Sequence, residues 1–118
     1  NNLYWAFCPN ANLYIENKLP DIQLFRKFNQ KITIGTDSLA SNHQLSVLEE
    51  IKTINQNFPD IPLDELFTWG TLNGAEALGF ENTLGSFETG KAPGINLISN
   101  LDLNNLKLSK QTKVVRII

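Results

Sequence analysis

The chain has 118 residues, of which 42% are hydrophobic and 19% charged, a composition that excludes the disordered and membrane classes and fits one folded unit. Ten basic against twelve acidic residues give a formal charge of -2, with no Lys or Arg run able to track a phosphate backbone, so nucleic acid is not an expected partner. No apolar stretch approaches the roughly 20 residues that span a bilayer, and no signal-peptide pattern opens the chain, so no membrane partner is expected.

Cys8 is the sole cysteine, which rules out an intrachain disulfide and points to a reducing, cytoplasmic setting. The chain contains no methionine, so sequence upstream of Asn1 is expected to be missing.

Taken in chain order, residues 3–8 form an apolar run stopped by Pro9-Asn10, which predicts a strand buried on both faces as in a parallel sheet. A turn-rich patch follows as far as Pro20, and Asp21 is placed to cap a short helix through Phe28. Lys31-Ile32-Thr33-Ile34 reads as a second short strand, ending at the polar turn Gly35-Thr36-Asp37-Ser38. Leu45, Leu48, Ile51 and Ile54 then recur at helical spacing and predict an amphipathic helix over about 42–58, with Glu49-Glu50 on its solvated face. Residues 63–78 predict helix interrupted near Gly70 and Gly74 and closed by Gly79. From Gly85 a β-hairpin is expected, Ser86-Phe87-Glu88 pairing through a Gly90 turn with Ile95-Asn96-Leu97-Ile98, and residues 113–118 form a final strand. The order strand, helix, strand, helix is that of a parallel α/β sheet, divided here into an α/β front over 1–83 and a β-rich tail over 84–118.

In such sheets chemistry sits beyond the carboxyl ends of the strands, and two segments qualify. Asp37 directly follows the second strand, with Gly35 permitting a tight turn and hydroxyls on Thr36 and Ser38 beside it. A carboxylate there can bind a metal and accept a proton from the water that metal acidifies; equally, an aspartate in such a turn can simply bond its own backbone. The first strand ends at Cys8-Pro9-Asn10-Ala11-Asn12, where Asn10 and Asn12 can line a pocket or form a turn, and where Cys8 reads best as a small buried hydrophobe. His43 is the only histidine, so no Ser/His/Asp triad and no histidine-rich zinc site can be assembled from these residues. From the residues alone this is an α/β unit with one plausible catalytic carboxylate.

Four segments, in order, resemble the C-terminal end of the amidohydrolase superfamily, in its cytosine, guanine and chloroaromatic aminohydrolase branch. Cys8-Pro9-Asn10-Ala11-Asn12-Leu13-Tyr14 resembles the family's Cys-Pro-x-Ser-Asn-Leu segment after the seventh barrel strand, with Ala11 in place of serine. Gly35-Thr36-Asp37-Ser38-Leu39-Ala40-Ser41-Asn42 resembles the end of the eighth strand, whose aspartate contacts the metal and relays protons. Thr71-Leu72-Asn73-Gly74-Ala75-Glu76-Ala77-Leu78-Gly79 is similar to the following helix, and Leu84-Gly85-Ser86-Phe87-Glu88-Thr89-Gly90-Lys91 to the return into a small β-sandwich. One departure is the Ala92-Pro93-Gly94-Ile95 that follows Gly90-Lys91, where the family has x-Ala-Asp-Leu.

The resemblance implies the last two βα units of a (β/α)8 TIM barrel followed by a sandwich segment, in a metal-dependent hydrolase acting on C-N bonds of a small, ring-containing substrate. It implies Asp37 as catalytic residue and metal ligand, Asn12 and Ser38 at the substrate pocket, and zinc or iron as the ion. The ion is expected only in the intact enzyme, because the family's further histidines have no counterpart here and the fragment alone is expected to be inactive. Strands cut from a barrel leave open edges, so pairing with a second copy is a further expectation. The competing reading is a self-contained, non-catalytic α/β interaction module.

Overall fold

The computed structural model describes residues 3–118. Two parallel strands, β1 (Tyr4–Phe7) and β2 (Lys31–Ile34), pair in register from Tyr4 with Lys31 to Phe7 with Ile34. The crossover between them carries two helices, α1 (Pro9–Glu16) and α2 (Ile22–Lys27), as parallel neighbours require. After β2 come α3 (Val47–Asn57), α4 (Leu63–Gly70) and α5 (Leu72–Ala77), and then an antiparallel ribbon of β3 (Asn96–Ser99) and β4 (Lys113–Arg116). Among the described residues, no helix is long and apolar enough to cross a membrane.

Local chemistry accounts for the boundaries. Pro9 starts α1, where its fixed φ and missing N–H cost nothing, and this turns the segment expected as loop into helix immediately after β1. Asp21 caps α2 as predicted, its carboxylate accepting from the Leu24 N–H at 3.1 Å. The long helix starts at Val47 rather than near Asn42, because Ser46 accepts from the Glu49 N–H, while Asn42 is tied to Thr36 O in the turn after β2. Helix α5 ends as predicted at Gly79, whose φ of +75° lets Gly79 N–H reach Glu76 O and Phe80 N–H reach Ala75 O.

The core joins Phe7 of β1, Ile32 and Ile34 of β2, Ile22 of α2, Leu48, Ile51 and Ile54 of α3, and Leu63, Leu66 and Trp69 of α4. β2 is buried from Ile32 to Ile34. β1 departs from the expected double burial: only Phe7 is buried, and Trp5 is 40% exposed with its ring edge on Phe25. The open edge of β2 is met by α5, where the Asn73 side-chain amide donates to Ile32 O at 2.7 Å.

The tail also departs from expectation. Residues 86–88 form no strand; β3 pairs instead with the terminal β4, closing a longer hairpin. Leu108, in the loop between them, is buried against the core, and its N–H donates to Asn55 Oδ1 of α3 at 3.2 Å.

Candidate functional site

The β1 and β2 carboxyl ends lie side by side, since Gly35 N–H continues the ladder to Phe7 O at 2.9 Å. A Cβ on Gly35 would stand 3.2 Å from Cys8 Sγ, so the absence of a side chain lets the two strand ends approach. The chain then turns sharply. Asp37 has φ +55°, a left-handed conformation that aspartate tolerates better than most residues.

The carboxylate of Asp37 is exposed, and Ser41 Oγ donates to its Oδ2 at 2.7 Å. Ser38 shapes the turn rather than reaching outward: its hydroxyl accepts from Ala40 N–H at 3.3 Å and its carbonyl from Ser41 N–H at 3.1 Å. Asn42 donates through Nδ2 to Thr36 O at 2.8 Å and to Glu50 Oε1 at 2.7 Å. The Cys8 thiol lies against this turn, and burial pushes its pKa up, with the Asp37 and Glu50 carboxylates adding to the shift.

Glu50 corrects the expected solvated Glu49-Glu50 face. Its side chain is fully buried, with Oε2 accepting from the Asn10 N–H at 2.8 Å and Oε1 from Asn42. Burial raises its pKa, and the donors from Asn10 and Asn42 pull the other way. Asn10 is held a second time, its Oδ1 accepting from Thr53 Oγ1 at 2.6 Å. Glu50 stands four residues before the core residue Ile54, so the helical period itself carries the signal that this acid faces inward.

Asn12 lies within α1, half-buried, with its N–H bonded to Cys8 O at 3.0 Å. His43 is exposed, its ring edge-on to Tyr14 at 5.7 Å between centroids. A cleft of about 490 Å³ opens on that side, lined among others by Asn10, Tyr14, His43, Lys52 and Thr53; Asp37, Asn12 and Ser38 are not part of its wall. Among the described residues no group of three or more His, Cys, Asp or Glu side chains is gathered to hold a metal. The described residues therefore do not make a complete coordination shell.

A model of the amidohydrolase family matches residues 1–117. The chain belongs to the amidohydrolase family. Relatives of the chain include deaminases. This amidohydrolase chain is 30% identical over 117 residues to the 5-methylthioadenosine/S-adenosylhomocysteine deaminase of Caldanaerobacter subterraneus, a match covering 93% of the chain and 26% of that protein. It is 35% identical over 96 residues to the guanine deaminase of Mus musculus, covering 73% of the chain and 21% of the relative. Among solved structures it resembles an adenosine deaminase from Xanthomonas campestris with bound zinc, at a TM-score of 0.66 and 27% identity over 77% of the chain. Escherichia coli guanine deaminase gives the same TM-score at 26% identity. The amidohydrolase chain spans about a quarter of the length of these proteins.

Proposed function

We propose that this chain forms the last two βα units of a (β/α)8 barrel, with residues 84–118 as part of the accompanying sandwich, in a hydrolytic deaminase to which it contributes Asp37. The observation that carries the reading is the place of Asp37: an exposed carboxylate on a hydrogen-bonded turn just beyond the C-terminal end of a parallel strand. Family membership and the deaminase names of the relatives support hydrolysis of a C-N bond on a small ring substrate.

A zinc or iron ion, held mainly by residues outside this segment, would supply the Lewis acidity that activates water; the zinc in the related adenosine deaminase supports this. On this chain, Ser41 engages Oδ2 of Asp37, and the carboxylate would serve as an oxygen ligand to the ion and as the group that takes up a proton. A proton received there is returned toward the leaving amine, and Ser41 keeps the carboxylate from rotating as its charge changes. Asn12 and Ser38 are assigned to the substrate side of the same strand ends, and a cytoplasmic setting fits the single cysteine.

The test is a measurement on the 118-residue chain alone and on the enzyme that carries it. The isolated chain is expected to bind no stoichiometric zinc and to release no ammonia from guanine or adenosine; stoichiometric zinc with turnover would overturn the assignment of the remaining ligands elsewhere. The isolated chain is also proposed to associate through the exposed edge of β1, where Trp5 and Ala6 are open to solvent. Light scattering showing a strict monomer rejects that part.

A further inference from the structure

We infer that Glu50 and Asn42 are positioning residues for the Asp37 turn, fixing it relative to the start of α1; the inference rests on the catalytic reading of Asp37 given above. A fully buried carboxylate is costly to desolvate, and a packed apolar residue of similar volume is commonly as stable or more so. Among the described residues no cation pairs with Glu50: the neighbouring Lys52 gives its Nζ to Glu49 Oε1 at 2.6 Å. What Glu50 has is two donors from two different segments, the start of α1 and the loop after β2.

One oxygen takes the Asn10 N–H, in the first turn of α1, where helix N–H groups lack intrahelical partners. The other takes the Asn42 side-chain amide, which also donates to Thr36 O, the carbonyl directly before Asp37. Ser41, one residue before Asn42, donates to the Asp37 carboxylate itself. A single buried side chain on α3 thus clamps the segments that leave β1 and β2 at the same end of the sheet. Such a clamp sets where Asp37 stands relative to the groups at the start of α1, and an error of about 1 Å in that relation can cost about a hundredfold in rate.

The enzyme that carries this segment supplies the test, with ammonia release from guanine and adenosine as the assay and Glu50→Gln as the variant. The substituted side chain keeps the volume and one acceptor for Asn10, but its amide opposes the Asn42 amide. Turnover is expected to fall about ten- to hundredfold, with KM changed less than about threefold. In an Asp37→Asn background the same substitution should change turnover no further, because it acts only through Asp37. Hydrogen exchange needs no substrate: amides over 36–42 should exchange at least about tenfold faster while those of α4 keep their rates.

Unchanged turnover in folded Glu50→Gln, an additive loss in the double variant, or exchange that rises equally throughout α4 overturns the inference. Should Glu50→Gln fail to fold, Asn42→Ser, which leaves Glu50 bound to Asn10, is read by the same measures, and unchanged turnover there is equally fatal. If Asp37→Asn itself leaves turnover intact, it is the catalytic reading that fails; if Asp37→Asn abolishes turnover and Glu50→Gln does not affect it, only the clamp fails.

Discussion

Ser41 Oγ donates to Asp37 Oδ2 at 2.7 Å, across a turn whose first residue sits at a left-handed φ of +55°. The bond restrains a carboxylate that the end of β2 presents to solvent. In the enzyme carrying this segment, Asp37→Asn should lower kcat by about 10²- to 10⁴-fold, the range a positioned proton acceptor contributes. Ser41→Ala should cost far less, about threefold to tenfold in kcat, with about 1 kcal/mol or less of stability. Equal losses in the two variants would mean that the hydroxyl, not the carboxylate, does the chemistry.

The buried Glu50 gives the fold a pH dependence of definite sign. Burial pushes its carboxyl above the ordinary value of 4.5, against the pull of the Asn10 and Asn42 N–H groups. As pH rises past that value the unfolded chain releases the proton first, so the folded chain holds more protons in the window above it. The stability Glu50 contributes is therefore full below the ordinary carboxylate range and is lost as pH rises through the folded value. Glu50→Gln has no proton to lose, so the urea midpoint of the native chain should fall relative to that of the variant as pH rises above 4.5. A constant difference across that range would show that Glu50 titrates as it does in water.

Much of this is legible from local chemistry. β2, the Asp21 cap and the stop at Gly79 each depend on a residue type whose effect is confined to a few neighbours. What is not legible depends on distant partners. β3 finds β4 across residues 100–112 instead of Ser86-Phe87-Glu88, a pairing over a long connection whose Leu108 is buried against the core, which no local pattern announces. Pro9 reads as a breaker in the sequence, although the same proline opens a helix when the strand ends one residue earlier. At the site, Asp37 is visible because a turn acid after a strand is a local pattern. Glu50 is not, because two adjacent acids on an amphipathic helix look like a solvated face until the i, i+4 relation to Ile54 is weighed.

Gly85 is the glycine whose replacement should cost most. Its φ is +89°, and a Cβ there would stand 2.8 Å from Ala75 Cβ and 3.0 Å from Leu72 Cα, both on α5. Gly85→Ala combines a strained backbone, about 1–3 kcal/mol, with overpacking against a helix that cannot retreat, since Asn73 of α5 is tied to β2. The expected result is a loss of about 2 kcal/mol or more by urea unfolding. Gly79→Ala, at φ +75° with open space around the new methyl, should cost less. If the two variants are equally destabilised, backbone strain alone is responsible and the contact with α5 is not felt.

Arg26 and Glu65 join α2 to α4 by two parallel bonds, Nε to Oε1 at 2.8 Å and Nη2 to Oε2 at 2.6 Å, with Nη1 on Gln23 Oε1 at 2.9 Å. About a third or less of each side chain is exposed, so the pair is only partly screened. Such a fork belongs to the minority of surface ion pairs with a measurable worth, and a double-mutant cycle of Arg26→Ala and Glu65→Ala should return a coupling of about 0.5–1 kcal/mol. Arg26→Lys tests geometry separately from charge, because an ammonium cannot make both bonds at once; it should recover less than half of the coupling. Raising the salt concentration to about 1 M should shrink the coupling, since the Debye length there is about 3 Å. A coupling of zero, or full recovery by lysine, would mean that α2 is held to α4 by Ile22 and Phe25 in the core and that the fork contributes nothing.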